Sequence, residues 1–358
     1  MSTLVPGSLI AGEPLPFFHD ARSMALGNAD LLVQPSLTMG WTNPALTAGS
    51  GFRIYIPAYQ FRINTRTLKT FNFIKDNAER FAYLEELTPE AQQAFYDDME
   101  PFDDQFVDVN NDLACGFYLG GLGLLVQAQT GVGIKLDRGI YTPAVGLKGN
   151  LLVGVTLSYG TRITAVDAVG ISLTPLFGKT LSPTRFSAGD ISEPSNAQSK
   201  FFDALGDSSV ATGFSSSLGY TRDLASGMQV GASITDLFAS YDGQSYKPQI
   251  SAGITGTLAN AVPEQYTLAR RVIWMASWDD ILNLNGHNLF SRLHFGTEIA
   301  LPLLHLRAGV NQGYLTCGFG LRFKVITLDY TIYGQETGRK PGLGQDYSHV
   351  IQLCLGWN

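Results

Sequence analysis

Residues 150–177 alternate between apolar and small polar side chains with a period of two. The apolar face comprises Leu151, Val153, Val155, Leu157 and Tyr159, and the opposite face comprises Leu152, Gly154, Thr156, Ser158 and Gly160. After a short polar turn, the same alternation returns from Val169 to Phe177. A period of two is typical of β-strands, so this stretch predicts a β-hairpin with one apolar face.

The second face of this hairpin consists almost entirely of Gly, Ser and Thr. A soluble antiparallel sheet usually turns a charged face toward water, so this face is expected to be enclosed. In a transmembrane β-barrel, apolar side chains face lipid and small or polar ones face the lumen, in runs of about ten residues. The pattern therefore predicts an all-β membrane protein, an antiparallel transmembrane β-barrel.

The alternation recurs along residues 51–63, 113–136 and 209–357. We count about 14 strands, within the even-numbered range of bacterial barrels. Residues 66–107 instead carry apolar residues at three- and four-residue spacing, which predicts helices, and residues 179–208 are polar and predict a long loop. Because the longer connections of such barrels lie outside the cell, residues 66–107 are expected to form a helical extracellular insertion.

Composition supports this interpretation. Charged residues make up 15% of the 358 residues, against about 25% in a typical soluble domain. No apolar run reaches the roughly 18 residues of a spanning helix, and only helices and closed barrels satisfy their backbone groups in lipid. A soluble β-sandwich or propeller remains the alternative. The formal charge of −7, without a basic patch, argues against a nucleic-acid partner.

The amino-terminal part lacks alternation but contains two short signatures. These are Asp20-Ala21-Arg22-Ser23-Met24-Ala25-Leu26-Gly27-Asn28-Ala29 and Asn43-Pro44-Ala45-Leu46. Taken alone, Asn-Pro is a common turn and Leu-Gly a common break. Followed by a strand, the pair resembles the start of the FadL-like outer-membrane β-barrel family, and residues 295–314 are similar to its spirochaetal paralogues. The resemblance implies that residues 1–50 form a hatch inside a barrel of residues 51–358, with Asn43, Pro44, Ala45 and Leu46 in the hatch.

The family includes long-chain fatty acid transporters and PorV-type proteins of type IX secretion. The resemblance therefore implies a channel in the outer membrane of a diderm bacterium for hydrophobic or amphipathic small molecules, such as long-chain fatty acids, gated by the hatch. Its partner would be a hydrophobic ligand, lipid or detergent. The alternative is a PorV-like scaffold that does not transport but binds a secreted protein or a lipoprotein. The residues themselves leave both open.

Charged side chains in the last strands fall on the predicted inward face, namely Arg292, His294, Glu298, Arg307, Arg322 and Asp329. Charges in a membrane protein must be paired or hydrated, so they are expected to face the lumen. One interpretation pairs Glu298 with Arg307 or Arg292, and Asp329 with Arg322. The other leaves one cation free to bind the carboxylate of an amphipathic ligand.

Catalysis is not expected. The sequence has no Gly-x-Ser-x-Gly elbow, and no motif ties a Ser to His294 or His349. The five histidines are scattered without close ligand spacing, so neither a metal site nor another cofactor is predicted.

A transporter of apolar molecules gains from a local break in the strand ladder, through which a ligand leaves sideways. Glycine weakens a strand and proline removes one backbone donor. Gly120, Gly121, Gly123 and Pro57 are therefore candidates for a lateral opening, which we expect beside Asn43–Leu46. The alternative is that the glycines only make room for the hatch.

Overall fold

The computed structural model describes residues 18–102, 106–137, 144–187, 199, 203, 210–258, 271–286, 288–336 and 345–357. Within these ranges, 16 strands form one antiparallel sheet. Strand β1 pairs with β16, and β5 pairs with β6, so that the sheet closes on itself. Strands β8 and β9 form a small hairpin beside β6, and the closed wall has 14 strands, as the sequence predicted.

The strand bounds are β1 Arg53–Asn64, β2 Phe106–Leu119, β3 Leu122–Asp137, β4 Ala144–Arg162, β5 Asp167–Ser187, β6 Val210–Asp223, β7 Met228–Thr235, β8 Ala239–Tyr241, β9 Gln244–Tyr246, β10 Gln249–Leu258, β11 Arg271–Trp278, β12 Leu293–Ala300, β13 Leu304–Asn311, β14 Tyr314–Arg322, β15 Ile326–Glu336 and β16 Gln345–Trp357.

The long loop predicted at residues 179–208 begins later than expected, because β5 continues to Ser187. The rest of that loop lies outside the described residues, apart from 199 and 203.

The alternation seen in the sequence becomes an outer and an inner face. Leu157 is 54% exposed, whereas the neighbouring Thr156 is 1% exposed. The inward hydroxyls of Thr156 and Thr174 lie 2.9 Å apart across β4 and β5, so they satisfy each other. The outer face is apolar and the inner face is small and polar, as expected for a barrel whose wall faces lipid.

Helices occupy the segment between β1 and β2. They are α3 Thr65–Asp76, α4 Ala78–Ala82 and α5 Pro89–Met99, followed by a 3-10 turn at Glu100–Phe102. The Thr88 side chain caps α5 by accepting a hydrogen bond from the Ala91 N–H, with Pro89 in the first turn. This segment lies at the end of the barrel opposite the short turns 120–121, 163–166 and 224–227. No helix in the described residues is long and apolar enough to cross a membrane.

Residues 18–50, which we call the N-terminal segment, contain the short helices α1 Ala21–Ala25 and α2 Met39–Thr42 and a 3-10 helix at Pro44–Thr47. These helices are buried throughout. Helix α1 contacts strands β13–β16, and the 3-10 helix contacts β4–β6 across the barrel. Barrel glycines on the inner face allow this approach. A Cβ at Gly219, for example, would lie 2.8 Å from the Ala45 backbone nitrogen.

Candidate functional site in the barrel lumen

Helix α1 is held by polar side chains of the wall. The Ala21 N–H donates to Gln352 at 2.6 Å, and the Thr331 hydroxyl donates to the Ala21 carbonyl at 2.7 Å. The Thr316 hydroxyl donates to the Ala25 carbonyl at 3.1 Å. A helix this short leaves most of its backbone groups without internal partners, so the wall supplies them.

A buried ion pair also joins the segment to the wall. Arg22 donates from Nε and Nη2 to the two carboxylate oxygens of Glu298, each at 2.8 Å. Arg307 donates to the same carboxylate at 2.7 Å and to Asp329 at 2.5 Å, while His305 lies 3.7 Å from Glu298. The result is a buried chain of alternating charges that we call the lumen charge network, from Arg22 through Glu298 and Arg307 to Asp329.

The structure brings together Glu298, Arg307 and Asp329 of the predicted group, and adds Arg22, which the sequence analysis did not include in it. Arg22 lies in the amino-terminal signature. An arginine in a segment that is expected inside the lumen needs an anionic partner, and this requirement could have indicated that Arg22 joins the group. The pairing of Arg22 with Glu298 cannot be read from the spacing of nearby residues, because 276 positions separate the two. The expected pairing of Asp329 with Arg322 is wrong, because Arg307 reaches both carboxylates.

The remaining members of the predicted group, Arg292, His294 and Arg322, form no hydrogen bond with this network among the described residues. Arg292 stacks on Trp278 at 5.9 Å and donates to the backbone carbonyls of Asn288 and Asp280. Of the two partners expected for Glu298, Arg307 therefore forms the pair and Arg292 does not. His294 lies 2.8 Å from the Gly27 carbonyl and 3.4 Å from Asp279. The Nε of Arg322 is buried without a hydrogen bond to any described residue.

Asn43, Pro44, Ala45 and Leu46 are all buried. The Asn43 side chain accepts from the Ala45 N–H at 3.2 Å and donates to the Tyr220 carbonyl at 3.4 Å. Pro44 and Ala45 lie against Gly170, where an added Cβ would collide with their backbone. This part of the segment is therefore fitted closely to strands β5 and β6.

The wall at Gly120, Gly121 and Gly123 differs from the expected opening. Pairing of β2 with β3 is regular to the last pair, Leu119 with Leu122, and Gly123 is paired on both sides. Gly120 and Gly121 have φ of 58° and 94°, so they form the two-residue hairpin turn that favours glycine. A turn and a weak point in a strand have the same glycine-rich sequence, which is why the pattern alone misassigned them.

Pro57 does mark an irregularity. The register of β1 shifts between Tyr55 and Ala58 against both neighbours, β2 and β16. Ile56 and Pro57 thus oppose a single residue on each side, which is a β-bulge. Behind the bulge, Tyr55 and Ala58 belong to a core cluster that also contains Leu37 and Leu46 of the N-terminal segment.

A cavity of about 260 Å³ lies in the lumen between the N-terminal segment and strands β7, β10 and β11. Its apolar lining includes Leu32, Val33, Ile273 and Met275, and its polar lining includes Arg22, Gln34, Gln229 and Arg271. Residues of the short turn 224–227 also line it, so it lies toward the short-turn end. One wall of the cavity thus contains Arg22, the residue that joins the segment to Glu298.

Known structures align with nearly the whole of this chain. The Pseudomonas putida toluene transporter TodX aligns over 94% of this chain and 97% of its own at 11% identity, with a TM-score of 0.51. The Ralstonia pickettii toluene transporter TbuX aligns over 95% and 98% at 12% identity with a TM-score of 0.49. A Pseudomonas aeruginosa FadL homologue aligns over 94% and 96% at 12% identity, with a TM-score of 0.34.

At such low identity the alignment with TodX shows a shared fold. The resemblance to FadL-like barrels is therefore confirmed at the level of the fold. No protein-family model and no curated protein matches the sequence.

Proposed function

We propose that this protein is an outer-membrane channel for hydrophobic or amphipathic small molecules, with the N-terminal segment as its hatch. The observation that carries the proposal is the cavity of about 260 Å³ between that segment and the wall, which combines apolar and polar lining. Ligand pockets typically combine an apolar surface with a few placed polar groups. The fold shared with a toluene transporter supports the same conclusion.

The polar contacts of the N-terminal segment suggest how a hatch would work. Its anchors are separate: the Arg22–Glu298 pair on one side, and the contacts of Asn43 and Thr47 on the other. Loss of one anchor leaves the other in place, so a local displacement would open the lumen without releasing the whole segment. The bulge at Ile56 and Pro57 is the candidate lateral exit for an apolar ligand.

Uptake by cells whose outer membrane contains lipopolysaccharide tests this function, because that leaflet is a barrier to apolar compounds. Labelled toluene and labelled oleate serve as probes, with the wild-type protein compared with Ile273→Trp and Met275→Trp. Both substitutions fill the cavity from its buried apolar side. Ile299→Trp is the matched control, since Ile299 is 37% exposed on the outer face of β12.

We expect the wild-type protein and Ile299→Trp to accelerate uptake of at least one probe, and both cavity-filling variants to abolish the gain. A heat-modifiable gel shift verifies that each variant folds. Equal uptake with and without the protein contradicts the proposal.

The scaffold function is the second candidate, and two observations favour it. Strand pairing is regular up to the turn at Gly120 and Gly121, and three core clusters join the N-terminal segment to the wall. Native mass spectrometry of protein extracted from its own membrane separates the two functions. A retained lipid-sized ligand supports the channel, and a retained protein partner supports the scaffold.

A further inference from the structure

The outer face of the wall changes from apolar to polar just below helix α3. On the neighbouring strands β16, β1 and β2, the side chains of Leu353, Tyr59 and Leu113 lie side by side and are 43%, 44% and 45% exposed. Two positions closer to α3 along β2, Asn111 accepts a hydrogen bond of 2.7 Å from the Tyr59 hydroxyl. Membrane barrels end their apolar band in a girdle of aromatic residues at the level of the lipid head groups. This row therefore marks the outer boundary of the hydrocarbon layer.

Helix α3 begins at this boundary. Its first residue, Thr65, has its hydroxyl 3.5 Å from Nε2 of His349, and Nδ1 of His349 lies 2.8 Å from the Tyr330 hydroxyl. The helix contacts β1, β2 and β16, and its Thr67 and Thr70 are buried. Helix α3 therefore lies against the wall at the level of the head groups.

Two apolar side chains of α3 remain outside the core of the insertion. Phe73 and Ile74 pack against that core, whereas Leu68 and Phe71 are 41% and 57% exposed. Residues three or four positions apart lie on one face of a helix, so Leu68, Phe71 and the exposed Lys75 share a face. An apolar face that ends in a lysine is typical of a helix that lies in the membrane interface.

Basic charge is concentrated in α3, although the insertion as a whole is acidic. Residues 65–76 contain three basic residues and one acid, whereas residues 77–102 contain seven acids and one base. At the rim of the barrel, Asp346 of β16 accepts a hydrogen bond from the Arg66 N–H and attracts the side chains of Arg66 and Lys69. Lys75 lies instead on the exposed apolar face of α3. This face thus combines apolar surface with a positive charge, which complements a lipid with a phosphate head group.

We propose that α3 is an interfacial helix that binds the outer leaflet of the surrounding membrane, with Leu68 and Phe71 among the acyl chains and Lys75 paired with a lipid phosphate. The exposed face of α3 continues the lipid-facing surface of β1, β2 and β16, so the bilayer that covers the wall reaches it. A lysine can extend its apolar stem along such a surface and keep its ammonium group among the head groups. This contact does not depend on what passes through the lumen.

The depth of position 71 in a bilayer tests the apolar part of the contact. Cys115, Cys317 and Cys354 are first changed to Ser, and Phe71→Cys or Glu90→Cys is then labelled with an environment-sensitive fluorophore. Glu90 is the control because it is exposed on α5, in the acidic part of the insertion. In vesicles of phosphatidylcholine and phosphatidylglycerol, we expect the label at position 71 to emit at shorter wavelength and to be quenched by lipids with brominated acyl chains. The label at position 90 should show neither effect, and a heat-modifiable gel shift verifies folding.

Lysine substitutions test the phosphate contact. Lys75→Gln and Lys69→Gln each remove one positive charge from α3, but only Lys75 shares a face with Phe71. We expect quenching at position 71 to be stronger in vesicles that contain phosphatidylglycerol than in pure phosphatidylcholine. Lys75→Gln should abolish this difference and Lys69→Gln should retain it. One lysine near an anionic surface changes the ratio of inserted to free helix about fivefold, which sets the size of the expected effect.

The outcomes decide the proposal as follows. Equal emission and quenching at positions 71 and 90 overturns it. Insertion of position 71 to the same depth in both kinds of vesicle, or an equal effect of the two lysine substitutions, overturns the pairing of Lys75 with a lipid phosphate. If the three serine substitutions prevent folding, Phe71→Trp and Glu90→Trp in the otherwise native chain replace the labels. Quenching beyond that of the 4 native tryptophans then gives the same decision.

Discussion

Arg22 of the N-terminal segment and Glu298 of the barrel wall form two hydrogen bonds of 2.8 Å, although 276 residues separate them in sequence. Their side chains are 8% and 2% exposed. Removing one partner of a buried ion pair leaves the other charge without compensation, which costs about 3–5 kcal/mol. If Arg22 is removed, Arg307 still neutralises Glu298. The loss of stability on substitution of Arg22 should therefore lie near the lower end of this range.

We expect a double-mutant cycle of Arg22→Gln and Glu298→Gln to give a coupling free energy of about 2–3 kcal/mol. The free energy of unfolding is measured by urea titration of the protein in lipid vesicles, under conditions where refolding is reversible. The cycle of Arg162→Gln and Asp223→Asn is the control, because those side chains are 48% and 40% exposed and should couple by about 0–1 kcal/mol. Equal coupling in the two cycles would show that the Arg22 contact does not anchor the segment.

The entry of small sugars tests the hatch at its second anchor, the contacts of Asn43. Changing Asn43 and Pro44 together to Ala removes the hydrogen bonds of the Asn43 side chain. We expect faster entry of small sugars into vesicles containing the reconstituted protein, with little change in the heat-modifiable shift, because the wall strands do not depend on these residues. Unchanged entry would place Asn43 and Pro44 in an ordinary turn.

Gly170→Ala provides an independent test from the wall side. An added Cβ at Gly170 would collide with the backbone of Pro44 and Ala45, so we expect the segment to be displaced and sugar entry to rise. Gly146→Ala is the in-strand control, because the nearest atom to its added Cβ is 3.5 Å away, an ordinary contact. Equal entry through both variants would mean that the segment adjusts without opening the lumen.

Strand alternation was sufficient to predict the barrel and its two faces, because a lipid-facing wall imposes the same local rule on every strand. Helical spacing likewise located the insertion that contains α3 to α5. Local rules cannot predict pairing between distant segments. Arg307, on the neighbouring strand, was expected as a partner of Glu298, but Arg22 was missed because it reaches Glu298 only after the N-terminal segment has folded against the wall.

Glycine shows the same limit. At Gly120 and Gly121 it permits a positive φ in a turn, whereas at Gly170 and Gly219 it admits the backbone of the N-terminal segment. Both uses follow from the missing Cβ, so sequence alone does not separate them. Proline has the same limit, because Pro57 lies in the β-bulge of β1 whereas Pro175 lies in regular register with Phe214, although neither can donate a backbone hydrogen bond.

The helical insertion should unfold independently of the barrel. Its core contains Phe95, which is fully buried, stacks with Phe73 at 6.2 Å and meets Phe81 edge-on at 4.8 Å. Phe95→Ala should destabilise this small core by about 3–5 kcal/mol. We expect cleavage by trypsin after Lys75 and Arg80 to accelerate at least about tenfold, because local opening exposes these sites.

Tyr83→Ala is the matched control for this experiment, because Tyr83 is 58% exposed and its loss leaves the aromatic core intact. The heat-modifiable gel shift of the barrel should be the same in both variants. A barrel that loses its shift together with the insertion would show that the two parts fold as one cooperative unit.

The bulge in β1 gives the sharpest test of lateral release. Tyr55 and Ala58 both point inward, and only one residue can stand between two inward residues of a regular strand. Deleting Pro57 should therefore restore continuous pairing with β2 and β16 without moving any side chain to the wrong face. If apolar ligands leave through the bulge, the deletion should lower uptake of labelled toluene several-fold in cells while the barrel keeps or gains stability. Pro175→Thr is the control, because Pro175 lies in regular register with Phe214. Unchanged uptake after deletion of Pro57 would exclude the bulge as the exit.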